Sequence, residues 1–154
     1  MKTIELKKAE LNQLPTIDAT VKYLDFSVEH FFISNFNVKQ FFIDLLKARG
    51  IKKPKIYDCN TYVFHDVGMH VDSLSPISAS SIIIMIYGSG TLCITSKTED
   101  KKSPYRCDDI FLERSSCANF DFHMPHSFKK DEKQKYACVA IVADVSRKQL
   151  EKIF

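Results

Sequence analysis

From residue 50 onward the chain is a succession of short segments rich in Ile, Val, Phe, Tyr and Cys, bounded by clusters of Gly, Pro, Ser, Asp and Lys. Segments of this kind are typical of β-strands, because branched and aromatic side chains pack well on a pleated surface. Six strands are predicted, at 55–64, 80–87, 91–95, 109–113, 118–123 and 136–143. Six short strands with helices only at the ends predict a mainly β fold, a sandwich or barrel flanked by helices.

Three features refine this prediction. The sequence SIIIMIY (81–87) has no polar alternation, which is typical of a strand that is buried on both faces. The sequence YGSG (87–90) predicts a tight turn that joins this strand to TLCIT (91–95) as a hairpin. The polar stretch 96–106 is predicted as a loop at one end of the barrel, and a role facing the substrate stays open for it.

Two helices are predicted at the ends of the β region. The first covers 37–49, where Asn37 can cap the helix, Gln40 occupies the capping-box position and Gly50 provides the stop. Its apolar residues recur with a period of 3.6, at Val38, Phe41, Phe42, Leu45 and Leu46. A short second helix is predicted from Ser146 to the end of the chain, again with a capping-box start.

Length and composition narrow the class of protein. A chain of 154 residues, 45% of them hydrophobic, is expected to form one globular domain over 1–154. A net charge of +3 is too small to predict a nucleic-acid partner. No apolar run, 82–87 and 136–143 included, is long enough for a membrane helix, and the first 15 residues lack the apolar region of a signal peptide. We expect a cytoplasmic or nuclear protein with no membrane partner and five reduced cysteines.

The triplet His70-Val71-Asp72 is the first candidate site. In a β-strand, residues i and i+2 point to the same face, so this imidazole and this carboxylate can converge on one point. One further histidine from another strand would complete a set of two His and one carboxylate. That set leaves coordination positions open on the metal and is typical of non-haem Fe(II) oxygenases.

The third ligand is expected near the end of the β region, where two histidines compete for the role. His123 and His126 are three positions apart, so on one strand they would face opposite sides and only one could reach the metal. We favour His126, because it shares its parity with Phe122 and Phe128, which we expect to point inward. His123 is then expected to be an exposed or hydrogen-bonded surface residue.

Four segments resemble the iron(II)/2-oxoglutarate-dependent oxygenases, and most of all their prolyl 4-hydroxylase-like group. They share an order of features: an aromatic strand, H-x-D, an apolar strand, a Gly-containing turn, an acidic turn, and a distal His with a basic residue. The resemblance spans about 28–142. The segments are TYVFHDVGMHVDS (61–73), SSIIIMIYGSGTLCIT (80–95), CDDIFL (107–112) and FDFHMPHSFKKDEKQKYACVAIV (120–142).

The resemblance implies a double-stranded β-helix, a jelly-roll or cupin-like barrel that the helix 37–49 and the C-terminal helix support. It implies that His70, Asp72 and His126 bind Fe(II) as the catalytic metal ligands. Lys135 stands where the family binds the cosubstrate carboxylate, and Tyr62 where a tyrosine lines the cosubstrate pocket. The implied activity is a dioxygenase that hydroxylates a peptidyl proline or another protein side chain, with 2-oxoglutarate as the small-molecule cosubstrate and ascorbate as a further cofactor.

Three departures from the family pattern bear on the cosubstrate rather than on the metal. Lys135 replaces the commoner Arg, Ala137 replaces a Ser, and the acidic turn at 107–109 lacks its Gly. Two alternative functions therefore stay open. One is a cupin-like metal-binding protein without 2-oxoglutarate chemistry. The other is a catalytically inactive binding module on the same fold.

Overall fold

Ten strands in two antiparallel sheets form most of the chain that the computed structural model describes, which is residues 2–17, 28–72, 75–134 and 136–154. Three short helices accompany the strands within these residues. In chain order the elements are β1 (Thr3–Glu5), α1 (Lys8–Leu11), β2 (Val28–His30), α2 (Val38–Ala48), β3 (Ile56–Phe64), β4 (Val67–His70), β5 (Ala79–Tyr87), β6 (Gly90–Lys97), β7 (Tyr105–Leu112), β8 (Ser116–Phe120), β9 (His126–Lys130), β10 (Cys138–Ser146) and α3 (Arg147–Leu150).

The order of the strands is that of a double-stranded β-helix. The larger sheet has the order β1-β8-β5-β10-β3-β2, and the smaller sheet has the order β4-β9-β6-β7. From β3 to β10 the chain crosses repeatedly between the two sheets, so that strands distant in sequence become neighbours. This jelly-roll arrangement confirms the predicted fold class.

The larger sheet is covered on both faces, which explains its apolar strands. On β5, Ile82, Ile84 and Ile86 pack in the cluster that includes α2, whereas Ile83 and Met85 pack between the two sheets. Since successive side chains of a strand point to opposite faces, both sets must be apolar. The prediction that SIIIMIY is buried on both faces is confirmed.

Helix α2 closely matches the predicted helix 37–49. The Asn37 side chain accepts a hydrogen bond from the backbone N–H of Gln40 at 3.0 Å, as a cap does. The Gln40 side chain donates to Asp44 instead of returning to Asn37, so the reciprocal half of the predicted capping box is wrong. Gly50 ends the helix with a φ of +94°, a conformation that glycine adopts without strain.

The predicted hairpin at YGSG is wrong. Strands β5 and β6 belong to different sheets, and the turn between them carries the chain across the barrel, with Gly88 at a φ of +77°. Pairing between these strands is prevented because β5 already has β8 and β10 on its two edges. Gly90 then allows a close approach, since a Cβ there would lie 2.3 Å from the Phe128 ring.

Several boundaries also differ from the predictions. The C-terminal helix α3 is shorter than predicted, and the Ser146 side chain makes no capping hydrogen bond. The predicted loop 96–106 is present but shorter, at 98–104, since Lys97 pairs with Tyr105 across β6 and β7. Outside the six predicted segments lie β1, β2, β4 and β9, which are short and lack an apolar run; the site prediction assumed only the strands that carry His70 and His126. Within the described residues, no helix has the length and apolar character needed to span a membrane.

Candidate metal centre

Two histidines face each other across neighbouring strands of the smaller sheet. His70 ends β4 and His126 begins β9, and the two residues are paired in the antiparallel register. Their ring centroids are 4.3 Å apart. The pairing of the two strands therefore brings together two imidazoles that are far apart in the sequence.

Asp72 joins the pair from the segment just after β4. Its backbone N–H donates to the carbonyl of Phe122 at 3.0 Å, which holds this segment against the turn before β9. One carboxylate oxygen lies 3.5 Å from Nε2 of His70, and the other lies 3.3 Å from Nε2 of His126. One donor atom from each of the three residues lies within 4.8 Å of the other two, so the structure brings the three predicted ligands together.

The hydrogen bond made by Nδ1 of each ring determines the protonation of Nε2, the nitrogen that faces the centre. Nδ1 of His70 lies 2.7 Å from the carbonyl of Gly68, and Nδ1 of His126 lies 2.8 Å from the carbonyl of Met124. A carbonyl oxygen only accepts hydrogen bonds, so each Nδ1 must carry the proton. In a neutral ring, Nε2 is then unprotonated and directs its lone pair toward Asp72.

This arrangement fits a divalent metal ion. Two nitrogen lone pairs and a carboxylate converge, and none of these atoms can donate a hydrogen bond to another when both rings are neutral. A cation at the centre would satisfy all three groups. Backbone carbonyls that accept from the outer nitrogen of each ring are the usual support of metal-binding histidines. Two nitrogens and one oxygen form the facial set that suits Fe(II).

Burial differs strongly among the three side chains. His126 is 6% exposed, whereas the His70 and Asp72 side chains are 38% and 50% exposed. Burial lowers the pKa of His126 and the neighbouring His70 ring adds to this effect, although the Met124 carbonyl and Asp72 oppose it. His126 therefore favours the neutral form that a metal requires, and the side of the centre opposite His126 is accessible.

The three residues line a cavity of about 510 Å³ between the sheets. Its walls are largely apolar, and the polar residues of its described lining are Asp58, Asn60, Tyr62, His70, Asp72, Ser75, Ser81, His126, Ser127 and Asp144. The described part of this lining contains neither Lys nor Arg. Lys135, the residue expected to bind the cosubstrate carboxylate, lies outside the described residues.

Tyr62 lies in the cavity wall, as the resemblance implied. Burial raises the pKa of its hydroxyl, the carboxylates of Asp58, Asp144 and Asp72 raise it further, and a hydrogen bond with Asn60 partly offsets these effects. Tyr62 therefore stays protonated at neutral pH and can donate a hydrogen bond into the cavity.

His123, the competing third ligand, lies outside the centre. Its Nε2 contacts the carbonyl of Ser75 at 3.2 Å, and its Nδ1 lies near Asp121 and Arg147. These contacts agree with the expected hydrogen-bonded surface histidine. The cluster connects the turn before β9 to α3.

The sequence reasoning missed the carboxylates of Asp58 and Asp144 in the cavity wall. Both residues occupy inward positions, Asp58 on β3 beside the polar Asn60 and Tyr62, and Asp144 on β10, where Val142 is the next inward residue. An acidic residue at a position that the strand alternation directs inward is the sequence signal that could have identified Asp58 and Asp144.

Comparisons with known proteins find similarity in structure but not in sequence. No protein-family model matches the chain, and no curated protein matches it. Among solved structures, a Burkholderia pseudomallei oxidoreductase of the 2OG-Fe(II) oxygenase family is 14% identical, with a TM-score of 0.49, over 95% of this chain and 84% of that one. YcfD, a ribosomal oxygenase from Escherichia coli, is 16% identical with a TM-score of 0.43 over 63% of this chain.

Proteins of the cupin type are also among the similar structures. An RmlC-like cupin from Desulfovibrio desulfuricans is 11% identical, with a TM-score of 0.38, over 60% of this chain and 80% of that one. The chain spans only 26% of the length of YcfD. At these identities and TM-scores the matches do not distinguish an oxygenase from a cupin, and they assign no substrate to this chain.

Proposed function

We propose that this protein binds Fe(II) through His70, Asp72 and His126 and acts as an Fe(II)- and 2-oxoglutarate-dependent dioxygenase. The observation that carries the proposal is that Nδ1 of each imidazole lies within hydrogen-bond distance of a backbone carbonyl while Nε2 faces Asp72. Backbone carbonyls fix both Nδ1 protons outside the centre, so two nitrogen lone pairs and a carboxylate meet at one point. A site of this kind is completed by a divalent cation.

In this proposal the residues of the chain hold the metal and shape the space beside it. His126 provides a buried ligand in the neutral form, and Asp72 provides the negative charge. The bound iron with its cosubstrate would supply the oxidation of a C–H bond, as the resemblance implies. Tyr62 donates a hydrogen bond into the cavity, and Lys135 is the proposed cation for the cosubstrate carboxylate. A protein or peptide side chain is the proposed class of substrate, and assignment to the prolyl 4-hydroxylase-like group stays a prediction.

A second candidate function is a cupin-like metal enzyme or metal-binding protein that does not use 2-oxoglutarate. The described cavity lining favours it in one respect. Asp58 and Asp144 line the cavity, and no Lys or Arg among the described residues does. A dicarboxylate would be repelled by this wall unless Lys135 compensates.

Anaerobic titration with Fe(II) followed by 2-oxoglutarate separates the two functions. A 2-oxoglutarate oxygenase is expected to bind one Fe(II), to develop a visible charge-transfer band when the cosubstrate is added, and to release succinate in air. A cupin-like protein would bind the metal without that band and without succinate. Failure to bind any divalent metal would overturn both functions.

A pair of variants shows whether the proposed ligands hold the metal. Asp72→Ala removes the carboxylate and is expected to abolish Fe(II) binding and succinate release. Asp100→Ala removes an exposed carboxylate at the tip between β6 and β7 and should leave both unchanged. Full turnover by Asp72→Ala would contradict the assignment.

A further inference from the structure

Two carboxylates face each other in the wall of the cavity beside the metal centre. Asp58 of β3 and Asp144 of β10 are direct partners in the antiparallel register, and both line the cavity. Like charges placed directly opposite each other in a sheet destabilise it. Neither carboxylate takes part in an ion pair with any residue that the structure describes.

Both carboxylates are oriented by neighbouring groups but retain unused acceptor capacity. Asp144 accepts hydrogen bonds from the hydroxyls of Ser75 and Ser81. Asp58 accepts from the Asn60 amide at 3.1 Å and from the N–H of Cys59. Because an ionised carboxyl group has about four lone-pair sites, each can accept further bonds from a ligand.

The wall next to these carboxylates is apolar. Val142 is the next inward residue from Asp144 along β10, and Ile83 of β5 is the cross-strand partner of Val142. Phe120 and Phe122 continue the apolar lining toward the metal centre. An occupant that suits this cavity therefore carries a positive charge at one end and an aliphatic segment next to it.

We propose that the cavity binds an organic cation, an ammonium or guanidinium group on an aliphatic chain, with its charge between Asp58 and Asp144. This inference rests on the proposed function, because it places the aliphatic chain of the substrate beside the metal. The cation would come either from a free amine or from a basic side chain of a polypeptide. The aliphatic carbons would then be the part of the substrate that the metal centre oxidises.

Binding of small probes to the full chain tests the proposal. Agmatine represents a free cation, and N-acetyl-lysine methylamide represents a polypeptide side chain. Hexanol and valerate serve as neutral and anionic probes of similar size. Isothermal titration calorimetry is expected to detect binding of the two cations that weakens with added salt, at least tenfold tighter than binding of valerate or hexanol. Tighter binding of the lysine derivative would identify a polypeptide side chain as the source.

Two variants locate the bound charge. Asp58→Asn changes an exposed side chain and Asp144→Asn preserves the side-chain shape, so both are expected to fold. Each is expected to weaken binding of the cationic probes about fivefold to tenfold, whereas the matched control Asp100→Asn changes the net charge equally and leaves binding unchanged. Equal binding of neutral and cationic probes, or equal binding by Asp144→Asn and the native chain, would overturn the proposal.

Measurement of metal binding distinguishes failure of the cation-site proposal from failure of the proposed function. Fe(II) affinity is measured in the same variants, none of which removes a proposed ligand. A protein that binds Fe(II) and releases succinate, but does not bind the cations, refutes this inference alone. A protein that binds the cations through Asp58 and Asp144 without binding Fe(II) confirms the cation site and refutes the proposed function.

Discussion

His70 and His126 are cross-strand partners, and each ring donates its Nδ1–H to a backbone carbonyl two residues earlier in the chain. This repeated local geometry turns both Nε2 atoms toward Asp72. Backbone carbonyls in β4 and in the turn before β9 thus determine which nitrogen of each ring carries the proton. Side-chain identity alone would not do so, because a histidine without such a partner can carry its proton on either nitrogen.

Replacing His126 and His123 one at a time should show which of the two histidines binds the metal. His126→Ala removes a buried Nε2 from the centre and is expected to weaken Fe(II) binding by at least a hundredfold. His123→Ala, the matched control, should leave the affinity within about threefold, because that ring contacts Ser75 and Asp121 instead. Anaerobic equilibrium dialysis provides both affinities. A greater loss in His123→Ala than in His126→Ala would show that the third ligand was assigned wrongly.

Metal removal should lower the thermal stability of the protein. A ligand at a hundred times its dissociation constant stabilises the folded state by about 2.7 kcal/mol. For a domain of this size that corresponds to roughly 5–10 °C in melting temperature. We expect calorimetry to show this difference between Mn(II)-loaded and chelator-treated protein. Asp72→Ala should melt at one temperature under both conditions.

The Glu10–Arg49 ion pair should make the protein sensitive to acid. Burial raises the pKa of Glu10, but its hydrogen bonds with Arg49 and Lys7 outweigh burial, and the net pKa is lowered. A lowered carboxyl pKa contributes stability above the ordinary value of 4.5, and this stability is lost as the pH falls through the lowered pKa.

Glu10→Gln is therefore expected to cost roughly 2 kcal/mol at pH 7 in urea unfolding, and clearly less at pH 3. Glu99→Gln, in the exposed connection between β6 and β7, is the control and should cost little at either pH. An equal loss for Glu10→Gln at both pH values would contradict the role assigned to its charge.

Substitution by alanine at the start of α2 and at the start of α3 should lower the free energy of unfolding by different amounts. Asn37→Ala removes the hydrogen bond to the N–H of Gln40 and should lower the free energy of unfolding by about 1 kcal/mol. Ser146→Ala removes a side chain that makes no such bond and should cost less than about 0.5 kcal/mol. Chemical denaturation measures both. A larger loss for Ser146→Ala would show that α3 depends on its cap.

A methyl group at Gly90 should disturb the barrel next to the centre. Its Cβ would lie 2.3 Å from the Phe128 ring and 2.7 Å from the Lys129 carbonyl, so β9 must move. We expect Gly90→Ala to cost about 2 kcal/mol in urea unfolding and to weaken metal binding, because β9 carries His126. Gly68→Ala is the control, since nothing lies within 4 Å of a Cβ there. Native stability of Gly90→Ala would mean that β9 shifts without strain.

Local periodicity predicted the parts of the fold and site that depend on one strand or one helix. The spacing of His70 and Asp72 was informative, although the strand expected to carry both residues ends at His70, and Asp72 is held by its bond to Phe122 instead. Helix α2 was evident from its 3.6-residue repeat. The turn at 87–90 was recognised, but a turn signal does not specify which strands pair, and the predicted hairpin was wrong. The opposition of Asp58 and Asp144 depends on the register of two distant strands, which no local pattern contains.

His70 and Asp72 lie at and just after the end of β4, whereas His126 lies on β9, and this separation affects when the metal can bind during synthesis and unfolding. His70 and Asp72 precede His126 by most of the barrel, so a partly synthesised or partly unfolded polypeptide presents at most two of the three donors. A tightly held ion thus requires that β4 and β9, which are neighbours at one edge of the smaller sheet, have paired. Retention of iron would then report an intact barrel, and its release would be an early sign that β9 has detached.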